Sequence, residues 1–164
     1  MIHLEGEELK LRLVSKEDCK LLWEWANDPE VRASAFSLEP IPWETHIQWF
    51  TKKLKDENCY IFIALDKQYI PIGQVRFDML NNKEAEIDLS LERKKRGLGY
   101  GSLLINIAIN SFSTFTTVQI VHAFIKPNNK ASMQAFQKAK FRKVNIENVK
   151  DNIAIHYIWV RGNE

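Results

Sequence analysis

The sequence predicts a mixed α+β fold with a central, mostly antiparallel sheet of about seven strands and four helices. Segments that alternate apolar and polar residues, as half-buried strands do, recur along the chain. Apolar stripes with helical spacing separate several of them. The segments follow in the order strand, two helices, three strands, helix, strand, helix, two strands. This order favours one sheet with helices packed on its faces.

Length and composition limit the class of protein. The 164 residues are enough for one domain, expected over 1–164, and the net charge of +2 argues against a general nucleic-acid coat. The N-terminus shows no signal-peptide pattern, and no segment has the apolar length of a membrane span. Cys19 and Cys59 have no metal-ligand spacing and are expected to be free thiols, so a cytoplasmic location and no metal site are predicted.

In the first half, residues 8–14 alternate as a strand does. Ser15 is a candidate helix N-cap, and Pro29 is expected to break the first helix at 27–32 because the residue before proline disfavours helix. A second helix is expected after Pro42. The predicted later elements are strands at 60–65, 69–80 and 85–91, a helix at 101–112, a strand at 117–125, a helix at 128–139 and a final hairpin around 150–152.

The segment "RGLGYG" at 96–101 places three glycines between a predicted strand and a predicted helix. Glycines before a helix N-terminus let backbone N–H groups approach a phosphate closely. The Walker pattern is excluded because Ser102 and Leu103, and no lysine, follow Gly101. The Rossmann fingerprint requires a different glycine spacing near the start of a βαβ unit. A tight structural turn remains the alternative to a phosphate cradle.

The same segment resembles the Arg/Gln-x-x-Gly-x-Gly/Ala signature of the GNAT superfamily of acetyltransferases. A second segment, "NKASMQAFQKAKF" at 129–141, is similar to the superfamily's Asn-x-x-Ser-x-x-x-Tyr-x-Lys-x-Gly-Phe helix. The tyrosine often credited as general acid is Phe136 here, and Lys140 stands for the glycine. The resemblance covers essentially the whole chain and implies the GNAT fold with acetyl-CoA as donor.

The resemblance also implies cofactor-binding residues. The loop N–H groups would hold the pyrophosphate, and the edge of the 85–91 strand would pair with the pantetheine arm. An N–H near Leu91 would stabilise the oxyanion. Asn129 would contact the cofactor arm or an ordered water. The residues expected to bind the cofactor are Leu89, Leu91, Arg96, Gly97, Leu98, Gly99, Tyr100, Gly101, Asn129, Ser132 and Phe136.

Catalysis requires an unprotonated amine, and Glu86 is the first candidate for the base. Asp88 lies on the same strand face and is the second candidate, while Ser90 is a candidate for orienting a water or the leaving sulfur. Strand alternation alone would also place solvated acidic residues at 86 and 88. Tyr100 and Tyr157 are possible replacements for the missing tyrosine.

A closer resemblance lies in "WEWANDPEVR", "PIPWETHIQWF" and "IGQVRFD", which look like nucleotide-sugar N-acetyltransferases of nonulosonic (pseudaminic-type) acid biosynthesis. Those enzymes acetylate the 4-amino group of a UDP-linked amino-sugar. The residues expected to bind the acceptor are Trp25, Asn27, Arg32, His46 and Arg76. The two arginines suit a diphosphate because guanidinium groups bind phosphate well.

Two other functions remain open at this point. The chain could acetylate protein N-termini, as ribosomal-protein acetyltransferases do, or it could bind acetyl-CoA without catalysis. Its expected partners are a small-molecule amine, with no nucleic acid or membrane, and it is expected to be a monomer or a homodimer.

Overall fold

The computed structural model describes residues 9–162 of the chain. Within these residues, five α-helices accompany one seven-stranded sheet, which confirms the predicted α+β class. The elements, in chain order, are β1 (Lys10–Leu13), α1 (Cys19–Ala26), α2 (Pro29–Ser34), α3 (Trp43–Lys55), β2 (Cys59–Leu65), β3 (Pro71–Met79), β4 (Glu84–Leu91), α4 (Tyr100–Phe115), β5 (Ile120–Ile125), α5 (Lys130–Lys138), β6 (Arg142–Val149) and β7 (Asn152–Val160). Glu8, the first residue of the predicted 8–14 strand, lies outside the described residues.

The sheet has the strand order β1-β2-β3-β4-β5-β7-β6. Strands β4 and β5 pair in parallel, and every other neighbouring pair is antiparallel. The prediction of a mostly antiparallel sheet is therefore confirmed. The one parallel pair arises because α4 carries the chain back across the sheet between β4 and β5.

The sheet buries apolar side chains on both faces. On one face, Val75 and Phe77 of β3 pack with Leu104 and Phe112 of α4 in the larger core. On the other face, a smaller core joins residues of β2, α1 and α3, namely Ile61, Ile63, Leu65, Leu22, Trp25 and Phe50. Each such side chain contributes about 1.5–3 kcal/mol when it is fully buried. The smaller core takes its strand residues from β2, so the corresponding face of β4 is left to polar side chains.

The prediction of four helices is wrong by one, because Pro29 begins a helix instead of preventing one. Proline suits the first position of a helix, where its missing N–H would have no helical partner. Asp28 is the N-cap of α2, and its Oδ1 accepts a hydrogen bond of 3.0 Å from the Glu30 N–H. The extra helix places two carboxylates near the glycine loop, as described below.

Among residues 9–162, no helix combines the length and the apolarity needed to cross a membrane.

Candidate active site

Strands β4 and β5 form an opening in the middle of the sheet. Their pairing consists of Glu84 with Ile120, Ala85 with Val121 and Glu86 with His122. Both strands continue beyond these pairs, β4 to Leu91 and β5 to Ile125, without pairing further with each other in the described chain. Facing strand edges of this kind offer backbone N–H and C=O groups to an extended ligand inserted between them.

The glycine loop lies between the end of β4 and the start of α4. Gly97 has φ +74° and Gly99, the N-cap of α4, has φ +87°, conformations that other residues rarely adopt. A Cβ atom added at either position would meet no protein atom within 4 Å. The start of the 16-residue helix α4 carries a partial positive charge. The loop is therefore open and geometrically suited to a phosphate group.

At Gly101, a side chain is excluded by close helix packing and not by the backbone conformation. A Cβ atom added there would lie 3.1 Å from the Cβ of Ala135 in α5. The glycine at 101 thus allows α4 and α5 to pack closely, independently of any contact with a cofactor.

The guanidinium of Arg96 binds protein groups. Its Nη1 lies 3.0 Å from Asp28 Oδ1 and 2.8 Å from Glu30 Oε2, and its Nε donates to the Leu91 carbonyl at 3.0 Å. Arg93 also binds Asp28, at 3.1 Å. These contacts attach the glycine loop to the start of α2. Arg96 therefore positions the loop, and only its backbone remains a proposed contact for the cofactor.

The predicted catalytic residues share one face of β4. Ala85 and Ile87 are buried in the larger core, so the alternation of the strand puts Glu86, Asp88 and Ser90 on the opposite face. The sequence analysis did not single out Gln74 of β3, which donates from Nε2 to Asp88 Oδ2 and to Ser90 Oγ, at 3.2 Å in both cases. Strand alternation in "IGQVRFD" could have identified it, because Gln74 and Arg76 point to the same face.

Burial raises the pKa of the Glu86 carboxyl. The positive charge of Arg76 opposes this effect, whereas the negative charges of Asp78 and Asp88 add to it. A carboxylate with a raised pKa binds a proton more readily, which suits a general base. Burial thus changes the acidity of Glu86 in the direction that a general base requires.

Arg76 lies beside these carboxylates. Its Nε donates to Asp78 Oδ2 at 2.8 Å, and its Nη1 lies 3.9 Å from Asp88 Oδ2. The guanidinium also stacks over the Trp49 ring, 5.3 Å from its centroid. Burial alone would lower the pKa of Arg76, but the attraction of Asp88 and Asp78 outweighs it and leaves the pKa raised. Of the five residues predicted to bind the acceptor, Arg76 forms an ion pair with a carboxylate of β4, and Arg32 is close enough for the charge of Asp88 to raise its pKa against the larger effect of burial.

His46 and Trp25, both predicted to bind the acceptor, have side chains that are packed in or against the smaller core. His46 is 3% exposed, and its Nε2 lies 2.8 Å from the Cys19 carbonyl. Its ring packs between those of Trp43 and Phe50, at 6.0 and 5.9 Å. Burial lowers the pKa of His46, and the hydrogen bond to Cys19 only partly offsets this. A neutral, packed imidazole joins α3 to α1.

Asn27 and Arg32 hold the segment between α2 and α3. Asn27 accepts from the Ile41 N–H at 2.7 Å and donates to the Ile41 carbonyl at 3.0 Å. Arg32 donates to the carbonyls of Ala26 at 2.7 Å and Ser37 at 3.0 Å. Their polar atoms satisfy backbone groups, so the structure favours a structural role over the predicted substrate contact for both residues.

The cofactor-binding residues expected around α5 lie either at the start of that helix or in the larger core. Asn129 is the N-cap of α5, and its Oδ1 accepts from the Ser132 N–H at 3.2 Å. Phe136 lies in the larger core, edge-on to Phe141 with ring centroids 4.9 Å apart. Tyr100 and Tyr157, the possible replacements for the missing acid, are buried in the same core. Phe136 therefore packs where the resemblance expected a cofactor contact.

The site thus combines an opening between two central strands, a glycine loop after β4 and carboxylates on one face of β4, an arrangement that suits an extended ligand with a phosphate group. Residues 8–142 match the family described as acetyltransferase (GNAT) domain. The chain belongs to this family. It is an acetyltransferase, and acetyl-CoA is the acetyl donor of the family.

Solved structures share the fold. An aminoglycoside acetyltransferase, AAC(6')-Ib in complex with coenzyme A, is 19% identical over 94% of this chain and 95% of its own, with a TM-score of 0.81. The spermidine N-acetyltransferase from Vibrio cholerae in complex with CoA and spermine is 18% identical over 93% and 95%, with a TM-score of 0.83. An uncharacterised protein from Bacillus halodurans is 16% identical over 97% and 87%, with a TM-score of 0.85. No curated protein matches the chain significantly.

A tryptophan at Gly99 is expected to weaken binding of acetyl-CoA at least about tenfold, which corresponds to about 1.4 kcal/mol. The indole would fill the open space beside the loop, and φ +87° would force the backbone to move. Calorimetric titration of the variant with CoA measures the loss.

Gly162→Trp is the matched control for this variant. Gly162 has φ +83° and, like Gly99, would place a Cβ atom in open space, but it lies after β7 and away from the loop. Both variants should lose similar stability, about 1–2 kcal/mol, and only Gly99→Trp should lose affinity for CoA. Equal affinities in the two variants would remove Gly99 from the cofactor site.

Proposed function

We propose that the chain acetylates the 4-amino group of a nucleotide-linked amino-sugar with acetyl-CoA as donor, a reaction of nonulosonic acid biosynthesis. The observation that carries the transfer is the position of Glu86. It is the last residue of β4 paired with β5, so it lies where the strands separate, and its strand leads directly into the glycine loop.

The groups of the chain suit direct transfer to an amine. Acetyl-CoA supplies the acetyl group as a thioester, which the amine nitrogen attacks. Glu86 takes the proton that the nitrogen loses, directly or through a water. The C–S bond then breaks, and the leaving thiolate, with a pKa of about 8.5 as for a cysteine thiol, accepts a proton without a strong acid. Phe136, which has no O–H, is compatible with this chemistry.

Support for a nucleotide acceptor comes from Arg76 and its neighbour Trp49. The guanidinium has donors beyond those used on Asp78, and it lies on the face of Glu86. A diphosphate near that face would find a cation there, and an aromatic ring beside it can stack on a base or a sugar. The resemblance of the first half of the chain to nucleotide-sugar acetyltransferases points to the same acceptor.

A second candidate acceptor is a cationic amine without a nucleotide. Glu86, Asp88 and Asp78 lie on the acceptor face, where Arg76 pairs with Asp78 and Asp88 and Lys53 pairs with Asp78. Glu86 is the carboxylate of this group without an ion pair of its own in the described residues, and its ionised form would attract a polyamine or an aminoglycoside. Solved structures with this fold include a spermidine N-acetyltransferase with bound spermine and an aminoglycoside acetyltransferase with bound kanamycin, which makes polyamines and aminoglycosides suitable test substrates.

The test is release of CoA thiol from acetyl-CoA with a panel of amines. The panel contains a UDP-4-amino-sugar, spermidine, an aminoglycoside and peptides with free N-termini. Turnover that is fastest with the UDP-sugar supports the proposal, and its loss in Arg76→Ala would assign the nucleotide contact. Preference for spermidine or the aminoglycoside would support the second candidate. Turnover with peptides alone would contradict both, and binding of acetyl-CoA without turnover would favour a binding role.

A further inference from the structure

A row of four hydrogen-bonded, titratable side chains crosses the sheet beside Glu86. His122 Nε2 lies 2.8 Å from Glu84 Oε1, and His122 Nδ1 lies 2.8 Å from His156 Nε2. His156 Nδ1 in turn contacts Glu147 Oε2. The order Glu84–His122–His156–Glu147 therefore runs from β4 through β5 and β7 to the edge strand β6. The sequence analysis did not identify these residues, because only the strand order brings them together.

This row of side chains reaches the candidate active site at His122. The Cα of His122 is the partner of Glu86, and this is the pair at which β4 and β5 separate. Glu84 and Glu86 are two residues apart on the same strand and share a face. The two histidine side chains are 17% and 14% exposed, so water screens their charge only partly.

The protonation state of the two histidines follows from the number of protons that their three contacts need. The N···N contact requires one N–H between the rings. Each outer nitrogen faces a carboxylate oxygen, which accepts a hydrogen bond from a ring N–H. Two neutral imidazoles have two N–H groups, whereas these three contacts need three protons. The third proton resides on a ring or on one of the carboxylates. Imidazole normally binds a proton about 2 pH units more strongly than a glutamate does, which favours the rings.

The surroundings of the pair are consistent with an imidazolium. Hydrogen bonds from Asn81 and then from His122 lower the pKa of Glu84, as expected for an ionised acceptor. The ring of Phe124 stacks on His156 with centroids 4.4 Å apart, where a cation is attracted to the aromatic face. The distance of 2.8 Å between His122 Nδ1 and His156 Nε2 is that of a hydrogen bond, in which one proton lies between the two rings.

We infer that His122 and His156 share three N–H protons, and thus one positive charge, at neutral pH, and that this charge acts as a positioning element for the general base Glu86. The second part rests on the proposed function. The charged groups that act on Glu86 are then His122 on β5, which shares its proton with His156 on β7, Arg76 and Asp78 on β3, and Asp88 on β4. The pair and Arg76 favour the ionised form of Glu86, against burial and the neighbouring carboxylates. Glu86 is thereby kept able to accept the amine proton at the point where the strands open.

The proton count is tested on the wild-type protein by NMR of ¹⁵N-labelled histidine at pH 7. His122→Asn and His156→Asn serve to assign the signals. We expect three protonated nitrogens in the two rings. Two neutral rings, with one N–H each, would overturn the inference. This measurement requires neither substrate nor turnover.

The effect on Glu86 is tested by titrating its side-chain ¹³C signal. Loss of the charge in His156→Asn should shift the titration of Glu86 upward by about half to one pH unit, as expected for a neighbouring charge in a partly screened site. Phe124→Leu is the control, because it removes the stacked ring and keeps the charge, and it should leave the titration of Glu86 in place. An unchanged titration in His156→Asn would overturn the effect on the base. Failure of the proposed function would appear separately, as absence of turnover with every amine.

Discussion

We expect Glu86→Gln to lower kcat by about 10²- to 10⁴-fold, the usual contribution of a general base, with little change in affinity for the acceptor. Glutamine keeps the shape of the side chain and cannot accept the amine proton. Burial raises the pKa of Glu86, and the base acts in its ionised form. The wild-type rate should therefore fall as the pH decreases through a value above the ordinary range of a glutamate, about 4.3. Steady-state rates against pH measure both effects.

Asp88→Asn is the matched control. Asp88 lies on the same face of β4, but its side chain is 56% exposed and contacts Gln74 and Arg76. Its loss should reduce kcat less than about tenfold, because an exposed polar contact contributes little. A large loss in Asp88→Asn together with normal turnover in Glu86→Gln would assign the base to Asp88, the second candidate. Normal turnover in both variants would mean that the amine reaches the site already deprotonated.

We expect Phe77→Ala to lower the free energy of unfolding by about 3–5 kcal/mol. The rings of Phe77 on β3 and Phe112 on α4 are stacked with centroids 4.1 Å apart and planes at 4°. Both side chains are 0% exposed, so alanine would leave a cavity between the sheet and its longest helix. The Tm should decrease by about 6–20 °C, at roughly 2–4 °C for each kcal/mol in a chain of this size. Thermal and urea unfolding measure the change.

Phe115→Ala provides the comparison for this loss. Phe115 also contacts Phe112, with ring centroids 5.9 Å apart, but it lies at the end of α4 and is 51% exposed. Its replacement should cost less than about 1.5 kcal/mol, because much of its surface is already in contact with water. If the two variants unfolded at the same temperature, the stacked pair would not be the centre of the larger core.

The sequence predicted local features well. Strand alternation placed Glu86, Asp88 and Ser90 on one face of β4, and the structure has this arrangement, because side chains alternate along any extended strand. The cluster of glycines predicted a tight turn or a close approach of the backbone to a ligand. Gly97 and Gly99 have φ values of +74° and +87°, which are unfavourable for other residues. The order of helices and strands along the chain, apart from α2, followed from the same local patterns.

The sequence could not show which polar side chains are already used inside the protein. Arg32, Asn27 and His46 have the chemistry of substrate-binding residues, yet they hold backbone carbonyls of Ala26, Ile41 and Cys19. These partners depend on how α1, α2 and the segment before α3 fold against one another. Pro29, which was expected to break the first helix, begins α2 because Asp28 caps the new helix.

By itself, then, the sequence determined the order of the elements apart from α2, the acetyltransferase family and the face of β4 that carries the carboxylates. These properties depend on residue spacing and on backbone preferences that act over a few residues. Only the tertiary structure decided where β4 and β5 separate, that Arg96 binds Asp28 and Glu30, and that His122 and His156 meet between two glutamates. Arg96 and Asp28 are 68 positions apart, and His122 and His156 are 34 positions apart, so only the folded chain brings these side chains together.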